Sequence, residues 1–352
     1  MSTTDVTAPV DPSELTPLEP SCEWHSDDLG DSYVYHLTDE HLAEIDTALQ
    51  RAEAESEDVL DITRESFPLP TLGPELTRIT RDLIEGPGVV LIRGVPANRY
   101  GKERASAIYW GIGLHLGQPW PQNAKGHLLG DVTDQGRAAG DPTFRGNEIG
   151  GIPFPFHSDG SDLVGLFCLD AGASGGESLV ANVVTIHNEL VRTKPELAAE
   201  LYRPFPYDLR GEHAPGTRPW YTMPIFTRRA GRLFARYIRP YIESTRRHED
   251  APRPSSTARE AMDCLDAMCA DPQYHASMLM EPGDMQFINN YHVLHARRGY
   301  EDDRAGRRIR HLKRLWLETE VLADDDKPEH FRLGRTDNWW SRQGRTKSEL
   351  KL

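Results

Sequence analysis

The spacing of hydrophobic residues changes character part-way along the chain. In the first third, apolar residues recur at helical intervals in residues 37–55, 74–85 and 103–117, which predicts three helices. The first should begin at Thr38 or Asp39, because both residue types cap helix N-termini, and the third should end at Gly117. Between the second and third helices, the run GPGVVLIRGVP (Gly86–Pro96) is short, apolar and bounded by Gly and Pro. It predicts a buried strand.

From Phe154 onward the pattern is typical of strands and turns. Short apolar or alternating runs follow one another, and helical spacing returns only at about 184–202 and 255–270. The candidate strands are LVGLFCLD, GESLVANV, WYTMPIFTR, RLFARYI, GDMQFINNYHVLHAR and RIRHLKRLWLETE. Because strands and helices do not alternate as βαβ units, the pattern favours a β-barrel or β-sandwich with helical insertions.

The two ends of the chain differ from this pattern. Residues 1–30 are rich in Pro, Ser, Thr and acidic residues, which predicts a flexible N-terminal segment. Residues 31–352 are predicted to form a single domain, since a chain of 352 residues with 38% hydrophobic residues can build a sizeable core. The stretch after about residue 322 is a polar tail, although Trp339 and Trp340 predict that part of it docks.

Charge and cysteine content argue against several functional classes. The formal net charge is −15, whereas non-specific nucleic-acid binding requires an excess of basic residues. The four cysteines show no CxxC spacing, which favours reduced thiols. The first residues lack the basic and apolar regions of a secretory signal, and no apolar run approaches the length of a membrane span. We therefore expect a cytoplasmic protein without a nucleic-acid or membrane partner; no pattern indicates its oligomeric state.

His157 and Asp159 form the most informative chemical pattern in the sequence. They lie two residues apart in the run FPFHSDGSDLVGLFCLD (Phe154–Asp170). Residues i and i+2 of a β-strand point to the same face, so this imidazole and carboxylate can bind one metal ion. With one distant His they would make the 2-His-1-carboxylate set of non-haem Fe(II) oxygenases.

Context separates this pair from three others of the same type. Among 14 His and 55 acidic residues, chance alone gives about two such pairs. His25 begins a pair in a polar N-terminal stretch, His187 begins one at the start of a predicted helix, and His248 begins one in a charged, Pro-containing loop. Only His157 precedes a long apolar run with the composition of a strand.

Several downstream residues are candidates to complete such a site. His292 and His295 both lie in the predicted strand GDMQFINNYHVLHAR, and either could be a core or surface residue instead of a ligand. Arg310 and Arg314 lie in a run that ends in LWL, where a buried guanidinium needs an anionic partner; a surface basic strand is the alternative. Ser178 follows the tight turn Gly175-Gly176 and could hydrogen-bond a carboxylate, or be a plain turn residue.

The order of these elements resembles that of a known family. His-x-Asp, Gly-Gly-x-Ser, a distant strand His and Arg-x-x-x-Arg follow one another as in the Fe(II)/2-oxoglutarate-dependent oxygenases of the taurine dioxygenase and clavaminate synthase superfamily. The resemblance covers about residues 86–320 and is strongest in FHSDGSDL, GGES, NNYHVLHARRGYED and RIRHLKRLWL. It implies a mainly β fold with α-helices, in which a double-stranded β-helix (jelly-roll) core over about residues 86–320 carries helical insertions. It also implies the cofactor Fe(II) and the co-substrates 2-oxoglutarate and O₂.

The resemblance assigns roles to matching positions. By it, His157, Asp159 and His295 are the iron ligands and the catalytic residues. Arg310 matches the arginine that pairs with the C5 carboxylate of 2-oxoglutarate, and Arg314 falls where relatives carry a second arginine for co-substrate or substrate.

Three details refine this assignment. His295 is preferred to His292 because the family's distal His directly precedes a small residue and Arg, as in His295-Ala296-Arg297. Ser178 replaces the Thr of Gly-Gly-x-Thr, so it keeps the hydroxyl and loses the methyl group. Asp159 argues against the halogenase variants, which carry a small residue there.

The resemblance also bears on substrate and outcome. Gln122, Asn123 and Arg145 lie in stretches that resemble the substrate-side loops of these enzymes, and Trp220, Tyr221 and Arg239 are weaker candidates; structural turns are the alternative reading. We expect hydroxylation of a C–H bond in a small molecule such as an amino acid or natural-product intermediate. The alternatives are a desaturase or cyclase of the same family, and a non-redox metal-dependent β-barrel enzyme.

Overall fold

The computed structural model describes residues 10–18, 22–123, 125–136, 148, 150–213, 215–331 and 350–351. Its helices are α1 (Ser26–Leu29), α2 (Asp39–Glu55), α3 (Leu72–Glu85), α4 (Ala97–Leu116), α5 (Val183–Thr193), α6 (Pro195–Glu200), α7 (Arg239–Ser244) and α8 (Ser256–Ala270). Among these described helices, none combines the length and apolar character needed to cross a bilayer.

Within the described ranges the strands outnumber the helices. They are β1 (Val34–His36), β2 (Val89–Arg93), β3 (Gln118–Pro119), β4 (Leu129–Val132), β5 (Phe154–His157), β6 (Leu163–Asp170), β7 (Ser174–Gly175), β8 (Ser178–Asn182), β9 (Pro204–Asp208), β10 (Trp220–Pro224), β11 (Phe226–Arg229), β12 (Arg232–Ala235), β13 (His275–Met278), β14 (Met285–Asn289), β15 (Val293–Arg297), β16 (Tyr300–Glu301) and β17 (His311–Glu318). The fold is therefore mixed α/β with several sheets, which agrees with the predicted class at this level.

Two larger sheets organise the molecule. Seven strands form one sheet in the order β1-β2-β14-β6-β17-β3, with β4 also paired to β17, and four form the other in the order β13-β8-β15-β5. One apolar cluster joins residues of both sheets, among them Val164 of β6 and Trp316 of β17 with Val180 of β8 and Val293 of β15. The two sheets therefore pack face to face, and side chains between them point toward a common interior.

Helices α3 and α4 cover the other face of the seven-stranded sheet. The Tyr109 ring of α4 lies 5.1 Å from that of Phe167 and 5.9 Å from that of Phe287. A Cβ atom on Gly165 of β6 would collide with both Tyr109 and Phe287. The missing side chain at Gly165 therefore allows α4 to approach the sheet closely.

The run GDMQFINNYHVLHAR, predicted as one strand, is two strands in different sheets. β14 ends at Asn289 and β15 begins at Val293. The Asn289 side chain accepts a hydrogen bond from the backbone N–H of Tyr291 at 3.0 Å, and such local bonds compete with the strand ladder. The chain therefore turns here and crosses from the large sheet to the small one.

The described part of the N-terminal segment, residues 10–18 and 22–30, is docked, although residues 1–30 were predicted to be flexible. Leu18 donates its N–H to Asn188 Oδ1 at 2.7 Å and accepts from Asn188 Nδ2 at 3.1 Å. Trp24 is 5% exposed and exchanges hydrogen bonds with Thr185 Oγ1 at 3.0 and 3.1 Å. The polar composition predicted flexibility, but hydrogen bonds to α5 hold this segment in place despite its small number of apolar residues. The predicted docking of Trp339 and Trp340 lies outside the described residues.

Candidate metal centre

Three buried side chains meet at one place in the described part of the chain. One ligand atom each from His157, Asp159 and His295 lies within 4.8 Å of the others. Each of these three residues is at most 8% exposed. His157 of β5 and His295 of β15 are paired across the two strands, and their ring centroids are 4.1 Å apart. His295 Nε2 lies 3.8 Å from Asp159 Oδ2. The structure thus brings His295, and not His292, to the pair.

Asp159 is positioned by a loop and not by the strand that we expected. β5 ends at His157, so the argument from alternate strand residues does not hold for this pair. The Asn290 side chain accepts from the Asp159 N–H at 2.7 Å and donates to the Asp159 carbonyl oxygen at 2.8 Å. Ser158 donates its N–H to the Tyr237 carbonyl at 2.8 Å and accepts the Tyr237 N–H on Oγ at 3.0 Å. These bonds fix the backbone that directs the Asp159 carboxylate.

The protonation states of the three residues suit metal binding. His157 Nδ1 lies 2.9 Å from the Pro155 carbonyl oxygen; a carbonyl only accepts, so the proton is on Nδ1 and Nε2 keeps its lone pair. Burial lowers the pKa of His157, and burial with the neighbouring His157 lowers the pKa of His295 to about 3. Burial alone would raise the pKa of Asp159, but the positive charge of Arg314, with the hydrogen bond from Trp316, outweighs it and lowers that pKa. Neutral imidazoles and an ionised carboxylate are the forms that bind a metal.

The donor set fits Fe(II). Two imidazole nitrogens and one carboxylate oxygen are the protein ligands of the 2-His-1-carboxylate sites, which leave positions open for exogenous ligands. His157, Asp159 and His295 all line a cavity of about 130 Å³, room for roughly ten water-sized groups. The open positions of a bound metal would therefore face a space that holds a small molecule.

Arg310 offers this cavity a buried cation with spare hydrogen-bonding capacity. It is 5% exposed and lines the cavity. Nη2 donates to the Gly176 carbonyl at 3.2 Å, and the guanidinium lies 5.1 Å from the Tyr300 ring centroid, but Nη1 has no hydrogen-bond partner among the described residues. Burial, with the nearby Arg297, lowers the pKa of Arg310 to about 10. A buried guanidinium with an unpaired N–H donor favours the binding of an anion.

Ser178 lies at the cavity, but its hydroxyl proton is already used. The residue is 4% exposed and lines the cavity. Its Oγ donates to Gln286 Oε1 at 2.9 Å. A hydroxyl has one proton, so Ser178 retains only acceptor capacity. The expectation that it donates to a carboxylate does not fit this arrangement.

Arg314 contacts the candidate metal ligand directly. Its Nη1 lies 3.1 Å from Asp159 Oδ2, and Trp316 Nε1 donates to the same oxygen at 3.0 Å. Gln122 accepts from Arg314 Nε at 2.8 Å and donates to the Arg314 and Leu128 carbonyls at 2.7 and 2.9 Å. Gln122 is 1% exposed and is not among the described residues that line the cavity. It therefore holds Arg314, which corrects its expected contact with substrate.

Most of the other residues expected to contact substrate are bonded elsewhere or lie outside the described residues. Asn123 bonds within its own turn, to His127 Nδ1 at 2.9 Å, and Arg145 lies outside the described residues. Trp220 Nε1 donates to Asp250, and Arg239 pairs with three carboxylates of α7 and α8. Of the weaker candidates only Tyr221 lines the cavity.

A family comparison decides what kind of protein carries this site. Residues 46–316 match the family model described as taurine catabolism dioxygenase TauD, TfdA family. The chain belongs to the TauD, TfdA family. It is also 32% identical over 292 residues to the FR-33289 synthase of Streptomyces rubellomurinus (strain ATCC 31215), covering 82% of this chain and 86% of that protein. Membership confirms the predicted enzyme class, an iron(II)- and 2-oxoglutarate-dependent oxygenase, with those cofactors.

Two solved structures share the fold. An asparagine oxygenase in complex with Fe(II), 2S,3S-3-hydroxyasparagine and succinate gives a TM-score of 0.64 at 18% identity, covering 81% of this chain and 93% of that chain. The non-heme iron oxygenase OrfP in complex with Fe and alpha-ketoglutaric acid gives a TM-score of 0.60 at 18% identity, covering 82% and 94%. At this identity the likeness establishes the mixed α/β fold of the TauD, TfdA-family chain.

Three residues of this TauD, TfdA-family site were missed by sequence reasoning. Asn290 and Trp316 contact Asp159. They lie in NNYHVLHARRGYED and RIRHLKRLWL, two of the stretches in which the resemblance to the family is strongest, so their positions in the sequence could have identified them. Arg236 donates through Nη1 to the backbone carbonyls of Asp159 and Ser158 and lines the cavity. It follows β12, where no motif pointed to it.

Proposed function

We propose that His157, Asp159 and His295 hold Fe(II), and that Arg310 anchors the distal carboxylate of 2-oxoglutarate in the same cavity. The observation that carries this proposal is that the three donors and the unpartnered Arg310 Nη1 line one cavity. A carboxylate supplies the partner that this nitrogen lacks, and the planar guanidinium binds carboxylates through two parallel hydrogen bonds.

The protein's own groups set the conditions for the reaction. Bound Fe(II) and 2-oxoglutarate supply the oxidising chemistry, in which O₂ and 2-oxoglutarate are converted into succinate and CO₂ while a substrate C–H bond is oxidised. Arg314 and Trp316 donate to Asp159 and keep its carboxylate in one orientation. His157 presents an unprotonated Nε2 because its Nδ1 proton is held by a backbone carbonyl. Burial of all three ligands limits the access of bulk water.

We propose a hydroxylase of a small amino acid or natural-product intermediate. A TauD, TfdA-family member with this site oxidises a small molecule, and the asparagine oxygenase and OrfP were each solved with a hydroxylated amino acid. Desaturation or cyclisation uses the same residues and differs only in where the substrate carbon lies. The named relative FR-33289 synthase supports a natural-product substrate.

The finer structural and cellular predictions are part of the same proposal. We propose that the seven-stranded and four-stranded sheets together are a double-stranded β-helix; their face-to-face packing supports this. A single domain over residues 31–352, a cytoplasmic location and the lack of a nucleic-acid or membrane partner stay predictions.

Anaerobic spectroscopy tests the iron and co-substrate assignments together. Fe(II) plus 2-oxoglutarate should give a weak visible charge-transfer band, and succinate should form when O₂ is admitted. Asp159→Ala should lose both signals, whereas His25→Ala, which alters another His-x-Asp pair on the surface, should lose neither. A protein that binds one Fe(II) per chain and shows no band would refute the proposal.

A further inference from the structure

Lys327 is a buried lysine that lies beyond the part of the chain matched by the family model. The match ends at residue 316, and Lys327 lies after β17, between the short 3-10 helices Asp324–Asp326 and Glu329–Phe331. Lys327 is 1% exposed, and its Nζ donates to Oδ2 of the fully buried Asp162 at 2.8 Å. A buried ion pair loses much of its attraction to desolvation, so stability alone is a weak reason for it.

Asp162 links Lys327 to two other segments of the fold. Its Oδ1 accepts from the Tyr291 hydroxyl at 2.7 Å, and its Oδ2 also accepts from the Thr319 N–H at 3.0 Å. Its backbone carbonyl accepts from the Asn290 N–H at 2.9 Å. Thr319 follows β17, and Asn290 and Tyr291 form the turn between β14 and β15. The Asp162 carboxylate therefore joins the segment of Lys327 to the turn that crosses between the two sheets.

Asn290 continues this connection to the metal ligand Asp159. Its side chain accepts from the Asp159 N–H at 2.7 Å and donates to the carbonyls of Asp159 and Ser161 at 2.8 and 2.7 Å. The turn also leads directly into β15, which begins at Val293 and carries His295. Two of the three candidate metal ligands thus depend on the position of one turn.

The segment of Lys327 contacts this turn a second time. The ring of Phe331, which is 6% exposed, meets the Tyr291 ring edge-on with centroids 5.4 Å apart. Tyr291 is therefore held on one side by Phe331 and at its hydroxyl by Asp162. Both contacts come from outside the strands that carry the metal ligands.

The charge of Lys327 keeps Asp162 in the form that makes these bonds. Two less buried carboxylates also lie near Nζ, those of Asp324 at 3.3 Å and Glu318 at 4.0 Å. In the described part of the chain, however, Lys327 is the only residue that forms an ion pair with Asp162. Burial raises the pKa of Asp162, so without Lys327 this carboxyl takes up a proton more readily. A protonated oxygen is a donor and cannot accept from the Thr319 N–H.

We propose that Lys327 is a positioning residue for the metal centre. It acts through Asp162, which holds the turn that carries Asn290, and Asn290 in turn fixes the backbone that directs the Asp159 carboxylate. This inference rests on the proposed function. The segment after β17 is then part of the machinery that orients the iron ligands.

Replacement of Lys327 by Met tests this role, with Arg93→Met as the matched control. Methionine keeps an unbranched side chain and removes the charge. Arg93 likewise pairs with a buried carboxylate, that of Asp284 at 3.2 Å, at the start of β14 and away from the turn. Both variants should have a lower urea midpoint, because each leaves a buried carboxylate without its cation. Only Lys327→Met should weaken Fe(II) binding, by about 10-fold or more in anaerobic calorimetry without urea.

The charge-transfer band gives a readout that lost stability does not move. With saturating Fe(II) and 2-oxoglutarate, the band of folded Lys327→Met should be shifted or broadened, and that of Arg93→Met should coincide with the wild type. Unchanged Fe(II) affinity and an unchanged band in Lys327→Met overturn the inference. Equal losses of Fe(II) affinity in both variants also overturn it, since they would reflect stability alone.

Tyr291→Phe decides the question if Lys327→Met does not fold. It removes only the hydroxyl that bonds to Asp162 and leaves the ion pair intact. It should weaken Fe(II) binding severalfold, and wild-type affinity overturns the inference. Absence of the band in the wild type contradicts the proposed function, whereas a normal wild-type band that does not respond to these variants contradicts only the role of Lys327.

Discussion

Replacement of Arg310 by Met should separate stability from co-substrate binding. The Arg310 side chain is 5% exposed, and burial lowers its pKa from 12.5 to about 10. One pKa unit corresponds to about 1.4 kcal/mol, so burial of the charged guanidinium lowers the stability of the folded protein by roughly 3 kcal/mol. Methionine removes that cost and the 3.2 Å hydrogen bond to Gly176, which contributes about 1 kcal/mol. The substrate-free variant should therefore be at least as stable as the wild type.

Binding of 2-oxoglutarate should respond in the opposite direction. Removal of one partner of a buried, hydrogen-bonded charge pair costs about 2–5 kcal/mol. Since each 1.4 kcal/mol is a factor of ten, the dissociation constant of 2-oxoglutarate should rise roughly 30-fold to several thousand-fold. Arg310→Lys should lie between, because it keeps the charge and loses the planar fork.

Urea denaturation and anaerobic calorimetry measure the two effects on the same samples. The free energy of unfolding is determined without and with 2-oxoglutarate, in the presence of Fe(II). The wild type should gain stability from 2-oxoglutarate, and Arg310→Met should gain little, as ligand linkage requires. The reasoning is refuted if the variant binds 2-oxoglutarate normally, or if it is destabilised by more than about 2 kcal/mol without ligand.

Three further outcomes follow from the described contacts. His295→Ala should abolish stoichiometric Fe(II) binding measured by metal analysis, while His292→Ala should retain it; the reverse result would contradict the ligand assignment. Gln122→Leu leaves Arg314 Nε without its acceptor, so urea denaturation should show a loss of about 1–3 kcal/mol, and an unchanged midpoint would contradict this. Burial lowers the pKa of His187 to about 4, so the unfolded state binds more protons below pH 6.5 and stability should fall by up to roughly 3 kcal/mol as pH drops from 6.5 to 4. His187→Gln should reduce that slope, and an equal slope would refute the assignment.

Local pattern was sufficient to find most elements of the fold. β6 runs over Leu163–Asp170, the same residues as the predicted strand LVGLFCLD, and α8 over Ser256–Ala270 lies within one residue of its prediction. These elements carry strong hydrophobic periodicity, which depends only on near neighbours in sequence. Helix α4 begins at Ala97, earlier than the predicted start at residue 103. A kink at Gly101, with φ of 73°, separates its first turn from the rest of the helix, so the helical pattern was recognised only after the kink.

The candidate site was predicted in part for the same reason. His157 and His295 are recognisable in sequence because each lies in a strongly patterned strand. Gln122 was misread because a polar residue in a loop gives no sign of whether it faces a cavity or a buried partner. Its actual partner, Arg314, lies far along the chain and is brought to it by the pairing of β17 with β4.

The sequence by itself determined the donor types, the strand-rich core and the family, because these depend on residue identity and short-range spacing. The tertiary structure alone decided which donors converge and what surrounds them. Asp159 is directed by Asn290 from a turn between sheets, and Arg236 reaches its carbonyl from a separate hairpin. Such contacts join segments distant in sequence, and the packing of the two sheets fixes them. Whether an arginine is balanced by an acid, and so which ligand it calls for, is a property of that packing.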